Sequence, residues 1–180
     1  MSEPKKSMST NAVVFGLLTG FTLILLSVVL FITNKSQSGL QYFGYLILGA
    51  GIVIGTMNFR DKYSEGYITY GRSLGMGVLI SVFAGILLGI FTYIYIKYLN
   101  TGLVEDVIIK ARQQWEAQHM TEEQMTVAEK YTRMFLTPAM ILILTLVGYV
   151  FVGTIISLIA SAFIKKDRPP FENVIDQKPA

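Results

Sequence analysis

Four stretches of this chain carry no Asp, Glu, Lys or Arg at all: residues 7–34, 36–59, 73–96 and 134–164, which are 28, 24, 24 and 31 residues long. About 20 helical residues cross the hydrocarbon core of a bilayer, so each stretch is long enough to span it. Hydrocarbon offers no partner to a bare amide or carbonyl, and a spanning segment must therefore close its backbone hydrogen bonds within itself, as a helix. The sequence thus predicts an all-α membrane protein with four transmembrane helices near 12–33, 40–58, 73–98 and 138–164. The second has the weakest propensity, because Gly44, Gly49, Gly51 and Gly55 fall within it, and it depends on its neighbours.

Composition agrees. With 52% apolar residues, 15% charged residues and a mean hydropathy of +0.52, the chain has too little polar surface to wrap a water-soluble globule. It has no cysteine, which excludes disulfides, iron–sulfur ligation, zinc–thiolate sites and cysteine nucleophiles together. The net charge of +3 does not indicate nucleic acid, because the basic residues sit at the ends of the apolar runs, where orientation signals belong. The first apolar run exceeds a signal-peptide core, so it is expected to be retained as a helix. The expected organisation is one transmembrane domain over 1–168 with an outer loop at 99–137, followed by a flexible cytoplasmic tail over 169–180.

Lys and Arg set the orientation. The N-terminus, the second loop and the C-terminal tail together hold 9 of them, including Lys5, Lys6, Arg60, Lys62, Arg72, Lys165, Lys166 and Arg168. The alternate segments hold 6, offset by six acids in the long loop. This excess places both termini in the cytoplasm.

Small residues recur every four positions: Gly16 and Gly20 in the first span, Gly51 and Gly55 in the second, Gly77, Ser81, Gly85 and Gly89 in the third, and Gly153, Ser157 and Ser161 in the fourth. That spacing puts each set on one helix face, where backbones can approach closely. The stripes fit packing within one bundle, or a homo-oligomer seam along the third helix; the abundance of glycine in membrane helices favours the first.

The loop at 99–137 is too polar to cross, yet it is patterned. Val104, Val107, Ile108, Ala111 and Trp115 recur at helical spacing, with Glu105, Asp106, Lys110, Arg112 and Glu116 largely on other faces. A second helix is expected from Thr121, where Gln124 completes a capping box and Met125, Ala128, Tyr131, Thr132 and Phe135 mark the buried side. Thr137 and Pro138 then restart the chain as the fourth span. The segment reads as an amphipathic helical hairpin over the outer mouth of the bundle, with Val104, Ile108, Trp115, Met125 and Tyr131 as its candidate interaction surface.

No catalytic, cofactor or metal site is expected. The spans lack the ionisable group that an ion-coupled transporter binds at mid-depth. No zinc-protease motif, nucleophile elbow, phosphate loop or dinucleotide fingerprint occurs, and His119 with Glu116 and Glu123 is a poor ligand set.

Arg60, Asp61, Gly66, Ile68, Gly71 and Arg72 lead into the third span, and Tyr95, Lys97, Tyr98 and Asn100 close it. With the Met120–Thr121–Glu122–Glu123 turn and the Thr137–Pro138 junction, these residues resemble the bacterial domain-of-unknown-function 4199 family, from the first helix to about Lys166. The resemblance implies a small four-helix protein of the inner membrane in Gram-negative bacteria. That family has no established activity, so it transfers no functional residues. The reading that follows is a noncatalytic scaffold acting on the lipid bilayer or a membrane-protein partner, with a small oligomeric channel or transporter as the alternative. A bundle centre packed dry favours the scaffold, and a continuous polar cavity favours passage. A reporter fused after Ala180 is expected to be active on the cytoplasmic side; activity only outside the cytoplasm would refute the orientation.

Overall fold

The structure, a computed structural model, describes residues 7–33 and 39–168. The expected tail at 169–180 lies outside the described residues, as do Lys5, Lys6 and Lys35. Six helices follow in order: α1 Met8–Ile32, α2 Phe43–Tyr63, α3 Tyr70–Ile94, α4 Leu103–Ala117, α5 Glu122–Phe135 and α6 Pro138–Ile164. A short 3-10 turn, Gly39–Tyr42, leads into α2, and a π turn, Tyr95–Leu99, extends α3. Four of these helices, α1, α2, α3 with its π turn, and α6, are long and apolar enough to cross a membrane.

Three of the four expected spans run past their expected ends. Helix α1 starts at Met8 rather than near 12, and the added turn contains Asn11, only 3% exposed, whose Nδ2 donates to the Gly55 carbonyl of α2 at 3.0 Å. Helix α2 continues to Tyr63, past the charged Arg60 and Asp61, because Arg60 finds acceptors there: the Asp61 carboxylate at 2.7 Å and the Ile164 carbonyl of α6 at 3.2 Å. Helix α3 begins at Tyr70 and ends in a wider turn in which the Asn100 amide reaches back five residues to the Tyr95 carbonyl at 2.9 Å. Helix α6 matches its expected bounds, with Thr137 accepting from the Met140 amide at 3.3 Å and Pro138 at the first helical position.

Helix α3 is the hub of the bundle. It packs on α6, α1 and α2, while α2 also touches α1 and α6, so that α1 and α6 flank the α2–α3 pair. Small residues occupy the tightest approaches. A Cβ on Gly16 of α1 would lie 2.5 Å from the Phe83 Cβ of α3 and 3.0 Å from the Ile80 carbonyl, and one on Gly20 would lie 3.2 Å from the Ala84 backbone. Gly51 of α2 accepts the Thr19 side chain of α1, and Gly55 sits under Phe15 and Ile80. Gly85 and Gly89 of α3 face Leu146 and Leu142 of α6.

Between α3 and α6 the fit is reciprocal. Ser81 of α3 seats on Gly153 of α6, and Ser157 of α6 seats on Gly77 of α3. Each hydroxyl is bonded to the glycine carbonyl four residues earlier in its own helix, Ser81 to Gly77 at 2.9 Å and Ser157 to Gly153 at 2.6 Å. Both serines are fully buried. Their polar atoms therefore reach the interface already satisfied, and the contact surface they present is effectively that of a small apolar group.

The centre is closed by Leu23, Leu48, Ile52, Met76, Ile80 and Ala84, each at most 1% exposed. Outward, α1 exposes Leu18, Phe21, Leu25 and Val29, and α6 exposes Leu144, Val147, Phe151 and Phe163. Water would not tolerate such continuous apolar stripes, and hydrocarbon does. At the end where α2 passes to α3, Glu65 and Gly66 turn the chain with φ of 55° and 81°. Ile68 then pairs with Lys166 beyond α6 through two backbone hydrogen bonds of 2.9 Å, forming an isolated antiparallel bridge.

Gly153→Ala would place its methyl 2.5 Å from the Ser81 Cβ and force α3 and α6 apart. The expected loss is about 1–3 kcal/mol in detergent unfolding, the cost of overpacking. Gly148→Ala, where a Cβ meets nothing within 4 Å, is expected to leave stability unchanged or slightly raised.

Candidate functional site

The segment between the third and fourth spans folds as two helices, α4 and α5, that pack on each other. Helix α5 opens with the expected capping box: the Gln124 amide donates to Thr121 Oγ1 at 3.4 Å, and the Thr121 amide donates to Gln124 Oε1 at 3.0 Å. His119 lies exposed in the turn between them, with φ of 58°. That left-handed conformation is one histidine adopts more readily than most residues.

Ile108 and Met125, 2% and 3% exposed, are the buried side chains of the hairpin. Val104 and Trp115 are half-buried, as are Ala128 and Thr132 on α5. Tyr131 and Phe135, expected on the buried side of the second helix, are instead 58% and 51% exposed. Helix α5 carries more apolar surface than one neighbouring helix can cover. Met125, Ala128 and Thr132 take the side toward α4, while Val127, Tyr131, Met134 and Phe135, at helical spacing, form a second stripe left uncovered.

Charge closes the hairpin where apolar contact stops. Arg133 of α5 holds both carboxylate oxygens of Glu105 on α4, at 2.6 and 2.8 Å, and its Nε donates to Glu129 one turn back at 2.9 Å. Arg112 of α4 reaches Glu122 at 3.2 Å and Glu129 at 3.8 Å. Two arginines and three glutamates thus bridge the helices as one network rather than as isolated surface pairs. The Arg133 guanidinium holds the Glu105 carboxyl below its ordinary value. The hydrogen bonds that Arg133 donates to Glu105 and then to Glu129 hold it even more firmly protonated than usual.

By periodicity alone Glu105 and Arg112 fall on solvated faces, and nothing local marks Glu129 or Arg133 as their partners. Their spacing was the available signal: Glu105 and Arg112 are seven apart on α4, and Glu129 and Arg133 are four apart on α5. The hairpin meets the bundle at its roots. Leu103 and Leu136 overhang an apolar crevice of about 410 Å³ whose other walls include Phe31, Tyr95, Ile96 and Ile141. The small-residue positions all lie outside the hairpin, and all but Ser161, which is buried, sit at the helix contacts described above.

Residues 14–166 match the family described as protein of unknown function (DUF4199), from the first turns of α1 to the Lys166 bridge. The chain belongs to that family. No curated protein and no solved structure matches it. In this DUF4199 protein the matched region runs from the second turn of α1 through the whole hairpin to the end of α6, so α4 and α5 lie inside it rather than in an appended segment.

Because the Glu105 carboxyl is depressed in the folded chain, its contribution is fully present above the ordinary value of 4.5 and is lost as pH falls through the lower folded value. The protection of α4 amides, measured against their intrinsic exchange rate at each pH, is therefore expected to fall as pH drops below 4.5, with the protection of α3 unaffected. Arg133→Gln is expected to give the same lower protection in α4 already at neutral pH and to remove the part of its acid dependence that Glu105 contributes.

Proposed function

We propose that the protein is a noncatalytic scaffold of the inner membrane that acts by association, with the hairpin as its contact surface and both termini in the cytoplasm. The observation that carries this reading is the contrast between a closed bundle and an open hairpin. The centre is filled by side chains such as Leu48, Met76 and Ile80 at zero exposure, whereas Val127, Tyr131, Met134 and Phe135 stand uncovered on a rigidly clasped helix. A rigid apolar stripe loses little conformational freedom when a partner covers it, which favours association.

The competing reading is a channel or transporter built from several copies. A pore between copies needs a polar outer face on at least one helix, and the outward faces of α1 and α6 are apolar, which weighs against it. The excess of Lys and Arg on the side of the α2–α3 loop supports the proposed orientation, and resemblance to inner-membrane proteins supports the location.

A photo-crosslinking residue at Tyr131 or Phe135 in native membranes is expected to give a discrete adduct with another membrane protein, and one at the exposed Gln113 none. Recovery of the uncrosslinked chain alone from both positions would defeat the scaffold. Reconstituted liposomes are expected to show no saturable or ion-driven flux, and such flux would promote the channel in its place.

A further inference from the structure

At the end opposite the hairpin, the α2–α3 loop, the start of α1 and the chain leaving α6 enclose a cavity of about 680 Å³. Its lining is divided by polarity. Met8, Phe59 and Ile68 supply apolar wall, with Phe59 and Ile68 each 3% exposed, and Arg72, Lys166 and Arg168 supply cations.

The acids in the lining are Glu65 and Asp167, and the Glu65 carboxylate is already engaged by Arg168. The Arg168 guanidinium and the Lys166 ammonium lie over the Tyr67 ring, at 5.9 and 5.5 Å from its centroid. Arg72 makes no ion pair or hydrogen bond among the described residues. Helices α1 and α3 both begin at this cavity, at Ser7 and Thr69, with no acid in the first turn and no side-chain cap. With no acid in either first turn, their positive dipole ends add to the same field.

Depth completes the argument. Phe59 and Met8 belong to the ends of two spanning helices, so the cavity sits where hydrocarbon gives way to headgroups. The geometry points to a binding site for a phosphate-bearing anion at the bilayer surface, supplied by an anionic phospholipid. Its phosphodiester meets Arg72 and Lys166, and its glycerol and first methylenes lie against Met8, Phe59 and Ile68. A soluble phosphate would use the cations and leave the apolar wall idle, which is why the lipid is the better occupant. The Ile68–Lys166 bridge fixes the mouth, since it ties one cation-bearing strand to the loop that carries Tyr67.

The test uses the full chain in nanodiscs and in detergent, with phosphatidylglycerol, phosphatidylcholine, glycerol 3-phosphate and inorganic phosphate as probes and native mass spectrometry as readout. Phosphatidylglycerol is expected to be retained in preference to phosphatidylcholine, and the Arg72→Gln, Lys166→Gln double variant to retain it about tenfold less well. Lys130→Gln on the hairpin is expected to change nothing, and Lys166→Arg to preserve retention. All three positions are exposed, and an unchanged thermal unfolding midpoint confirms that the fold survives each substitution. Displacement of the lipid by glycerol 3-phosphate or inorganic phosphate at equal concentration would support the phosphate site while overturning its assignment to lipid. Equal retention of the two lipids, or undiminished retention by the double variant, would overturn the site itself.

Discussion

The structure depends on how closely α3 and α6 can approach. In water, apolar faces are driven together by the loss of hydrated surface; between helices already in hydrocarbon that force is absent, and dispersion contact at short range must take its place. The exchanged serine and glycine seats of Gly77, Ser81, Gly153 and Ser157 meet this requirement, because each helix provides both the protrusion and the recess. Turning each hydroxyl back to its own helix removes the cost of burying it. The same economy recurs on a smaller scale where Asn11 spans α1 and α2 to the carbonyl of Gly55, a position at which any side chain would collide with Phe15 or Ile80.

With α3 so enclosed by its neighbours, the surfaces that face neither the bundle nor hydrocarbon lie at the two ends of the molecule. The interior holds fully buried aliphatic side chains, and the flanks present hydrocarbon to hydrocarbon. What remains is the hairpin, with its charge network and uncovered α5 stripe, and the basic pocket around Tyr67 at the opposite end. These are different kinds of surface. One is apolar and projects from the bundle on a helix pair; the other is cationic, recessed and at the depth of lipid headgroups.

Much of the fold was legible because its determinants are one-dimensional. Uninterrupted uncharged runs mark spanning helices whatever packs around them, and the Thr121–Gln124 box and the Thr137–Pro138 start are local events within a few residues. The departures arose where charge or polarity had a distant partner. Arg60 stays helical because Ile164, far along the chain, offers a carbonyl, and Asn11 extends α1 because Gly55 does the same. Periodicity also could not decide which of two apolar stripes on α5 meets α4. Tyr131 and Phe135 have a pattern suited to burial, but the single neighbouring helix is filled by Met125, Ala128 and Thr132. The pairing of Arg133 with Glu105 was beyond reach for the same reason, since it joins helices whose register only the folded hairpin sets.

Only Leu136 and Thr137 separate the end of α5 from the start of α6, and the ring of Pro138 fixes the first backbone torsion of the spanning helix. So short a coupling has little slack. The clasped pair should therefore behave as a pointer mounted on the α6 shaft, its tip near His119 magnifying any small rolling of that shaft against α3 into a sideways sweep beyond the bilayer.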